Sequence, residues 1–264
     1  MTATVTSADG TTIAFDRYGA GPALVLVHGA CTDRTHPTLA AVATALAPWF
    51  TVFNYDRRGR GTSGNNTPYA VARELDDLAA VITAAGGSAL VFGGSSGAAL
   101  ALRAAAGNPA IAKLAVWEPP FHVDGTAPHL PDDFAVRLAD LVAQGRRSDA
   151  VELFLVAAAD VPGETVKAMR TQASWPATEA LAHTLAYEAA VLGPGNALPA
   201  DQLTATTQPT LVLNGANSPP WMINAGETVA RSMPCAVHRM LANQAHNVTP
   251  EAITPELLEF FIAA

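Results

Sequence analysis

Cysteine is scarce in this chain: Cys31 and Cys235 are the only two among 264 residues. They stand far apart, which excludes a disulfide framework and a cysteine-spaced metal site, and makes a reducing cytoplasm the expected compartment. No unbroken apolar run approaches the roughly 20 residues of a membrane-crossing helix, although 50% of the residues are hydrophobic. The opening stretch, Met1-Thr2-Ala3-Thr4-Val5-Thr6, lacks the basic end and apolar segment of a secretory signal. Positive charge is in deficit, with 15 Lys and Arg against 23 Asp and Glu and a net charge of -8. That balance argues against a nucleic-acid or anionic-membrane surface. A basic loop, Asp56-Arg57-Arg58-Gly59-Arg60-Gly61, has no Walker-type lysine, so it reads as a loop stapled by an ion pair between Asp56 and an arginine. Repeats and low-complexity segments are missing too. The length suits one sizeable domain with room for an inserted subdomain.

What is present centres on residues 89–102. The apolar run Ala89-Leu90-Val91-Phe92 reads as a buried strand, Gly93-Gly94-Ser95-Ser96-Gly97 as a tight turn, and the Ala/Leu-rich stretch after it as a helix. The turn contains GxSxG with Ser95 at its centre. Small neighbours at Gly93 and Gly97 suit a serine on a strained corner where strand and helix pass closely, and the Ser96 amide lies at the positive end of the new helix, placed to donate to an oxyanion. A glycine-rich turn without chemistry gives the same short pattern.

The rest of the chain supplies the context. Residues 3–18 alternate around Asp9-Gly10 as a hairpin. The buried strand 23–27 runs into His28-Gly29-Ala30-Cys31, where Gly29 shapes the turn, the Ala30 amide is assigned as a second oxyanion donor, and His28 braces the loop. A helix over 36–47, a strand over 50–55 and an amphipathic helix over 69–85 follow, the last carrying Glu74, Asp76 and Asp77 mostly toward solvent. Leu114-Ala115-Val116-Trp117 is the next buried strand and delivers Glu118-Pro119-Pro120. Alternating strands and helices imply a parallel sheet with ligands at the carboxyl ends of its strands. Between 121 and 200 the rhythm becomes helical, which predicts a cap inserted over those ends, with Trp175, His183, Tyr187 and Trp221 as candidate pocket residues and ordinary packing as their competing role. Strands 210–214 and 236–241 resume the alternation, Ser218 is placed to cap a helix starting at Pro219-Pro220, and Thr254-Pro255 is placed at the start of a closing helix. A serine nucleophile needs a base held by a third group. Of seven histidines, only His246 lies in a loop after the last core strand; His238 lies within that strand, and His122 and His129 read as surface residues.

The hairpin start, the HG turn at His28-Gly29, the YDRRGRG loop at Tyr55 to Gly61, the Ser95 elbow and the late His246 together resemble the α/β-hydrolase family. The resemblance covers roughly 1–120 and 201–264 and implies an α/β fold with a helical cap at 121–200. In much of that family the acid follows the strand corresponding to 210–214, but Gly215-Ala216-Asn217-Ser218 holds no carboxylate. Haloalkane dehalogenases and zearalenone-lactonase-like hydrolases carry the acid one strand earlier, and Trp117-Glu118-Pro119-Pro120 is similar to that arrangement, so the resemblance implies Glu118. Asp56 and Asp201 are distant alternatives. A serine at position 95 argues against the carboxylate attack of dehalogenases and epoxide hydrolases. The implied activity is hydrolysis of a small or medium hydrophobic ester or lactone by Ser95, His246 and Glu118, with no metal or organic cofactor, no nucleic-acid or membrane partner, and room for a homodimer. A C–C bond hydrolase, a perhydrolase and a non-catalytic ligand-binding protein are the competing readings.

Overall fold

The computed structural model describes residues 2–263. The Asp9-Gly10 turn joins β1 (Thr2–Thr6) to β2 (Thr12–Tyr18), and the Asp9 carboxylate accepts from the Thr11 amide at 2.9 Å to close it. Strand and helix then alternate: β3 (Ala23–Val27), α1 (Pro37–Leu46), β4 (Thr51–Tyr55), α2 (Val71–Ala84), β5 (Ala89–Gly94), α3 (Ser96–Ala105) and β6 (Ile111–Trp117). Six helices come before the next strand: α4 (Phe134–Ala143), α5 (Arg147–Ala157), α6 (Gly163–Arg170), α7 (Trp175–Ala180), α8 (Leu185–Leu192) and α9 (Ala200–Thr204). The chain closes with β7 (Thr210–Gly215), α10 (Pro220–Ser232), β8 (Ala236–Leu241) and α11 (Pro250–Ile262).

The eight strands form one sheet in the order β1-β2-β4-β3-β5-β6-β7-β8. Only β1 and β2 run antiparallel to their neighbours; from β4 to β8 every pairing is parallel. Crossover helices therefore cover both faces, and strand side chains alternate between two apolar layers. Leu24 and Leu26 of β3 enter the layer that includes Phe50, Leu257 and Phe261, while Val25 and Val27 enter the one that includes Leu78, Leu100 and Val229. The parallel strands bring the HG loop after β3, the serine turn after β5 and the Glu118 turn after β6 to one edge of the sheet.

Over that interval of helices, Leu138, Val151, Phe154, Val166 and Leu185 make a third apolar cluster, separate from the two sheet layers. Its outgoing and returning connections run side by side, joined by a single bridge between His122 and Ala197. The last long helix, α8, serves both layers: Leu185 and Ala189 join the helical cluster, and Val191 and Leu192 join the sheet's core.

Several local expectations need correction. Glu74 and Asp77 are not toward solvent; they are 2% and 1% exposed, because both pair with arginines of the 56–61 loop, leaving Asp76 as the one of these three acids that is exposed. The closing helix starts at Pro250, with Pro255 inside it, since Pro250 already fits the first turn, where no intrahelical N–H bond is needed. Helix α10 begins at Pro220 without a side-chain cap; the Ser218 hydroxyl is engaged elsewhere. Among the described residues, no helix is long and apolar enough to cross a membrane.

Candidate active site

Ser95 sits between β5 and α3 with φ 56 and ψ -127, a conformation that a non-glycine residue holds at a cost of about 1–3 kcal/mol. Its amide donates to the Trp117 carbonyl at 2.8 Å, fastening the turn to the end of β6. The flanking glycines are required by space. A Cβ on Gly93 would stand 2.6 Å from the Gly97 carbonyl oxygen, and one on Gly97 would stand 2.3 Å from that of Val27. Ser95 itself remains half-buried, so its hydroxyl is reachable.

Glu118 follows β6 with φ 47 and is fully buried. Its Oε1 accepts from the Gly215 amide at 2.8 Å and the Ser218 hydroxyl at 2.5 Å, and its Oε2 meets His246 Nδ1 at 2.8 Å. The turn that lacks an acid thus supplies two neutral donors to the acid of the neighbouring strand. His246 lies in the loop after β8, and its carbonyl accepts from Trp117 Nε1 at 2.9 Å. Trp117 is accordingly bonded to both the Ser95 turn and the His246 loop. A proton on Nδ1, assigned from the Glu118 contact, leaves Nε2 as the acceptor nitrogen. Ser95 and His246 are not joined by a hydrogen bond; bonds of this kind often tighten only when substrate is in place.

The loop after β3 packs directly on the elbow: a Cβ on Gly29 would lie 3.0 Å from Ser95 Cβ. Next to it, the Ala30 amide makes no hydrogen bond among the described residues, and neither does the Ser96 amide in the first turn of α3. Both are available as donors. His28 is fully buried; burial pushes its imidazole down to about 4, and it bonds Asn54 from within the loop. That is a bracing role, as the sequence suggests.

Beside this edge lies a second set of charges. Arg57 makes a two-pronged pair with Glu74 at 2.7 and 2.8 Å, Arg58 does the same with Asp77 at 2.7 and 2.7 Å, and Arg57 and Arg60 share Glu188 of α8. Asp56 does not pair within its own loop; it takes Arg34 and the Thr62 amide. Burial pushes the Glu74 carboxyl up, and the Arg57 guanidinium more than offsets this, leaving it below the ordinary carboxylate range.

The aromatic candidates separate. Trp175 is buried inside the helical cluster, with its Nε1 donating to Ser148 Oγ at 2.8 Å. Tyr187 stacks on Tyr69 at 3.9 Å between ring centroids and donates to Asn65. The contacts of both are with the helical layer and the loop before α2, and His183 lies edge-on to Tyr187. Trp221, at the start of α10, reaches Asp160 of the helical layer at 3.2 Å and packs against a half-buried His122. Two surface cavities, of about 520 and 240 Å³, both lie on the helical layer and include neither Ser95, Glu118 nor His246. Asp201 is exposed on α9. Reading the sequence missed Ser218, Glu74, Asp77 and Glu188; three arginines within six residues of an acidic chain were the signal that buried carboxylates must face them.

The model of the alpha/beta hydrolase family matches residues 24–256. The crystal structure of an alpha/beta hydrolase from Sphaerobacter thermophilus is similar over 98% of this chain and 100% of its own, at 50% identity and a TM-score of 0.93. The uncharacterized hydrolase YraK of Bacillus subtilis is 41% identical over 101 residues, 35% of each chain, so the match spans about a third of that relative's length. The enol-lactonase from Burkholderia xenovorans LB400 shares the fold over 99% of this chain and 100% of its own, with a TM-score of 0.75 at 19% identity.

Proposed function

We propose that this chain, which belongs to the alpha/beta hydrolase family, is a serine hydrolase that cleaves a small or medium hydrophobic carboxylic ester or lactone through an acyl-enzyme. The observation that carries the reading is the fully buried Glu118 carboxylate 2.8 Å from His246 Nδ1, one strand from a serine held at φ 56. A weak hydroxyl nucleophile needs a base, and the base needs a group that fixes its tautomer and steadies its cation.

In this mechanism His246 Nε2 takes the Ser95 proton as Oγ attacks the carbonyl carbon. The carbonyl oxygen becomes an oxyanion that accepts from the Ala30 and Ser96 amides, at the positive end of α3. The imidazolium, steadied by Glu118, returns its proton to the leaving alkoxide, which departs as an alcohol. Water then gives a proton to Nε2, attacks the acyl carbon and releases the carboxylic acid, with the proton going back to Ser95. For a lactone, alcohol and acid are the two ends of one opened product. The substrate class draws support from Ala30 and Cys31, which pack against the apolar cluster of α4–α8 and set the proposed oxyanion site beneath an apolar cap.

A fluorophosphonate probe with mass spectrometry of the labelled peptide, run beside hydrolysis of para-nitrophenyl butyrate and a γ-lactone panel, tests this reading. Labelling at Ser95 and turnover that both vanish in Ser95→Ala are expected. Folded protein that takes no label and hydrolyses none of these substrates would contradict it.

A further inference from the structure

We infer that Arg60 is a positioning residue for the oxyanion site, held in place by Glu188 of the helical layer; this rests on the serine-hydrolase reading above.

The Gly29 carbonyl has two side-chain donors on it, Arg60 Nη1 and Thr32 Oγ1, the latter at 2.9 Å. Arg60 Nη1 also donates to the Thr32 carbonyl at 3.1 Å, so the guanidinium clasps both ends of the short loop Gly29–Thr32. The Gly29–Ala30 peptide is trans. In a trans peptide the C=O and the next N–H point to opposite sides of one plane. Fixing the Gly29 carbonyl on Arg60 and Thr32 therefore fixes the Ala30 N–H on the far side, where it has no protein partner. The elbow limits the loop from the other direction, with Ser95 Cβ 3.0 Å from where a Gly29 Cβ would stand.

A long flexible arginine does not orient anything unless its own head is fixed. Arg60 is 2% exposed, and its Nη2 pairs with Glu188 Oε1. Glu188 is 0% exposed and also takes Arg57 Nη1 at 3.0 Å, while that same Arg57 nitrogen donates to the His28 carbonyl at 3.1 Å. Two arginines anchored on one α8 carboxylate thus hold three carbonyls of the HG loop, those of His28, Gly29 and Thr32. The helical layer bears on the oxyanion geometry through Glu188, with no need for α8 to touch the substrate. Such alignment matters because a donor contributes only when it is aimed at the oxyanion, and a displacement of about 1 Å can cost about a hundredfold in rate.

The test compares Arg60→Lys and Thr32→Ala with the parent, with active sites counted by complete fluorophosphonate labelling. Expected values of kcat per labelled site are roughly tenfold to a hundredfold lower for Arg60→Lys and about threefold to tenfold lower for Thr32→Ala. KM for para-nitrophenyl butyrate should stay within about twofold, and the inhibition constant of phenylboronic acid, whose adduct places an oxyanion in the same site, should rise in step. A purely structural role would lower the labelled fraction and leave kcat per site unchanged; that result overturns the inference. If Arg60→Lys does not fold, Glu188→Gln, which removes the charge that fixes the Arg60 head, decides by the same criterion. A parent that neither labels nor turns over refutes the hydrolase reading and this inference with it, whereas an active parent with unaltered variants refutes the inference only.

Discussion

Four buried carboxylates are held in one way and a fifth, Glu118, in the opposite way. On the side of β3 and β4, Glu74, Glu188, Asp77 and Asp56 each face an arginine. On the side of β6 to β8, Glu118 is held by an amide and a hydroxyl, and its other oxygen meets a 40% exposed imidazole. A carboxylate already matched by a guanidinium has its charge compensated and contributes order. One fixed by neutral donors keeps its charge for whatever cation forms beside it. That contrast separates Glu118 from Asp56, which stood beside it as a candidate acid: Asp56 has Arg34 against it, and Glu118 has only His246.

The contrast sharpens under matched Glu→Gln changes. For Glu118→Gln, kcat/KM for ester hydrolysis is expected to fall about a thousandfold to ten-thousandfold, equivalent to about 4–5.5 kcal/mol, with the far-UV spectrum and melting temperature retained. Glu74→Gln removes one partner of a buried pair and leaves Arg57 to share the single Glu188 carboxylate with Arg60, so thermal denaturation should show a loss of about 3–5 kcal/mol, while kcat per labelled site in the folded fraction stays near the parent's. An active Glu118→Gln enzyme together with a stable Glu74→Gln protein would erase the distinction. Smallest is Ser218→Ala. It deletes one of two neutral donors on Glu118 and should lower kcat by about tenfold with little change in KM, a split visible in steady-state kinetics.

Much of this architecture is legible in the chain because its signals are local. The run 89–92 before glycines and the apolar stretches at 23–27, 114–117 and 210–213 each contain enough buried residues to mark a strand covered on both faces. The turn at 215–218 holds no carboxylate while Glu118 ends the neighbouring strand, and the structure joins Glu118 to His246. What stayed hidden depends on pairs remote in sequence. Helical spacing of Val71, Leu75 and Leu78 on α2 said nothing about Arg57 or Arg58 in a loop before it, so Glu74 and Asp77 read as solvent-facing. Ser218 looked like a helix cap because the two prolines after it are local, whereas Glu118 is 100 residues away. An isolated Trp175 in a helical stretch fits a pocket as well as a core, and only the packing of α4–α8 shows its ring inside their shared core.

The measurement closest to the central claim is the rate of fluorophosphonate labelling at Ser95 in the parent and in folded Glu118→Gln. If Glu118 holds His246 as the base for Ser95, labelling of the variant should slow at least about a hundredfold while its melting temperature is retained. Equal rates in the two proteins would contradict that claim.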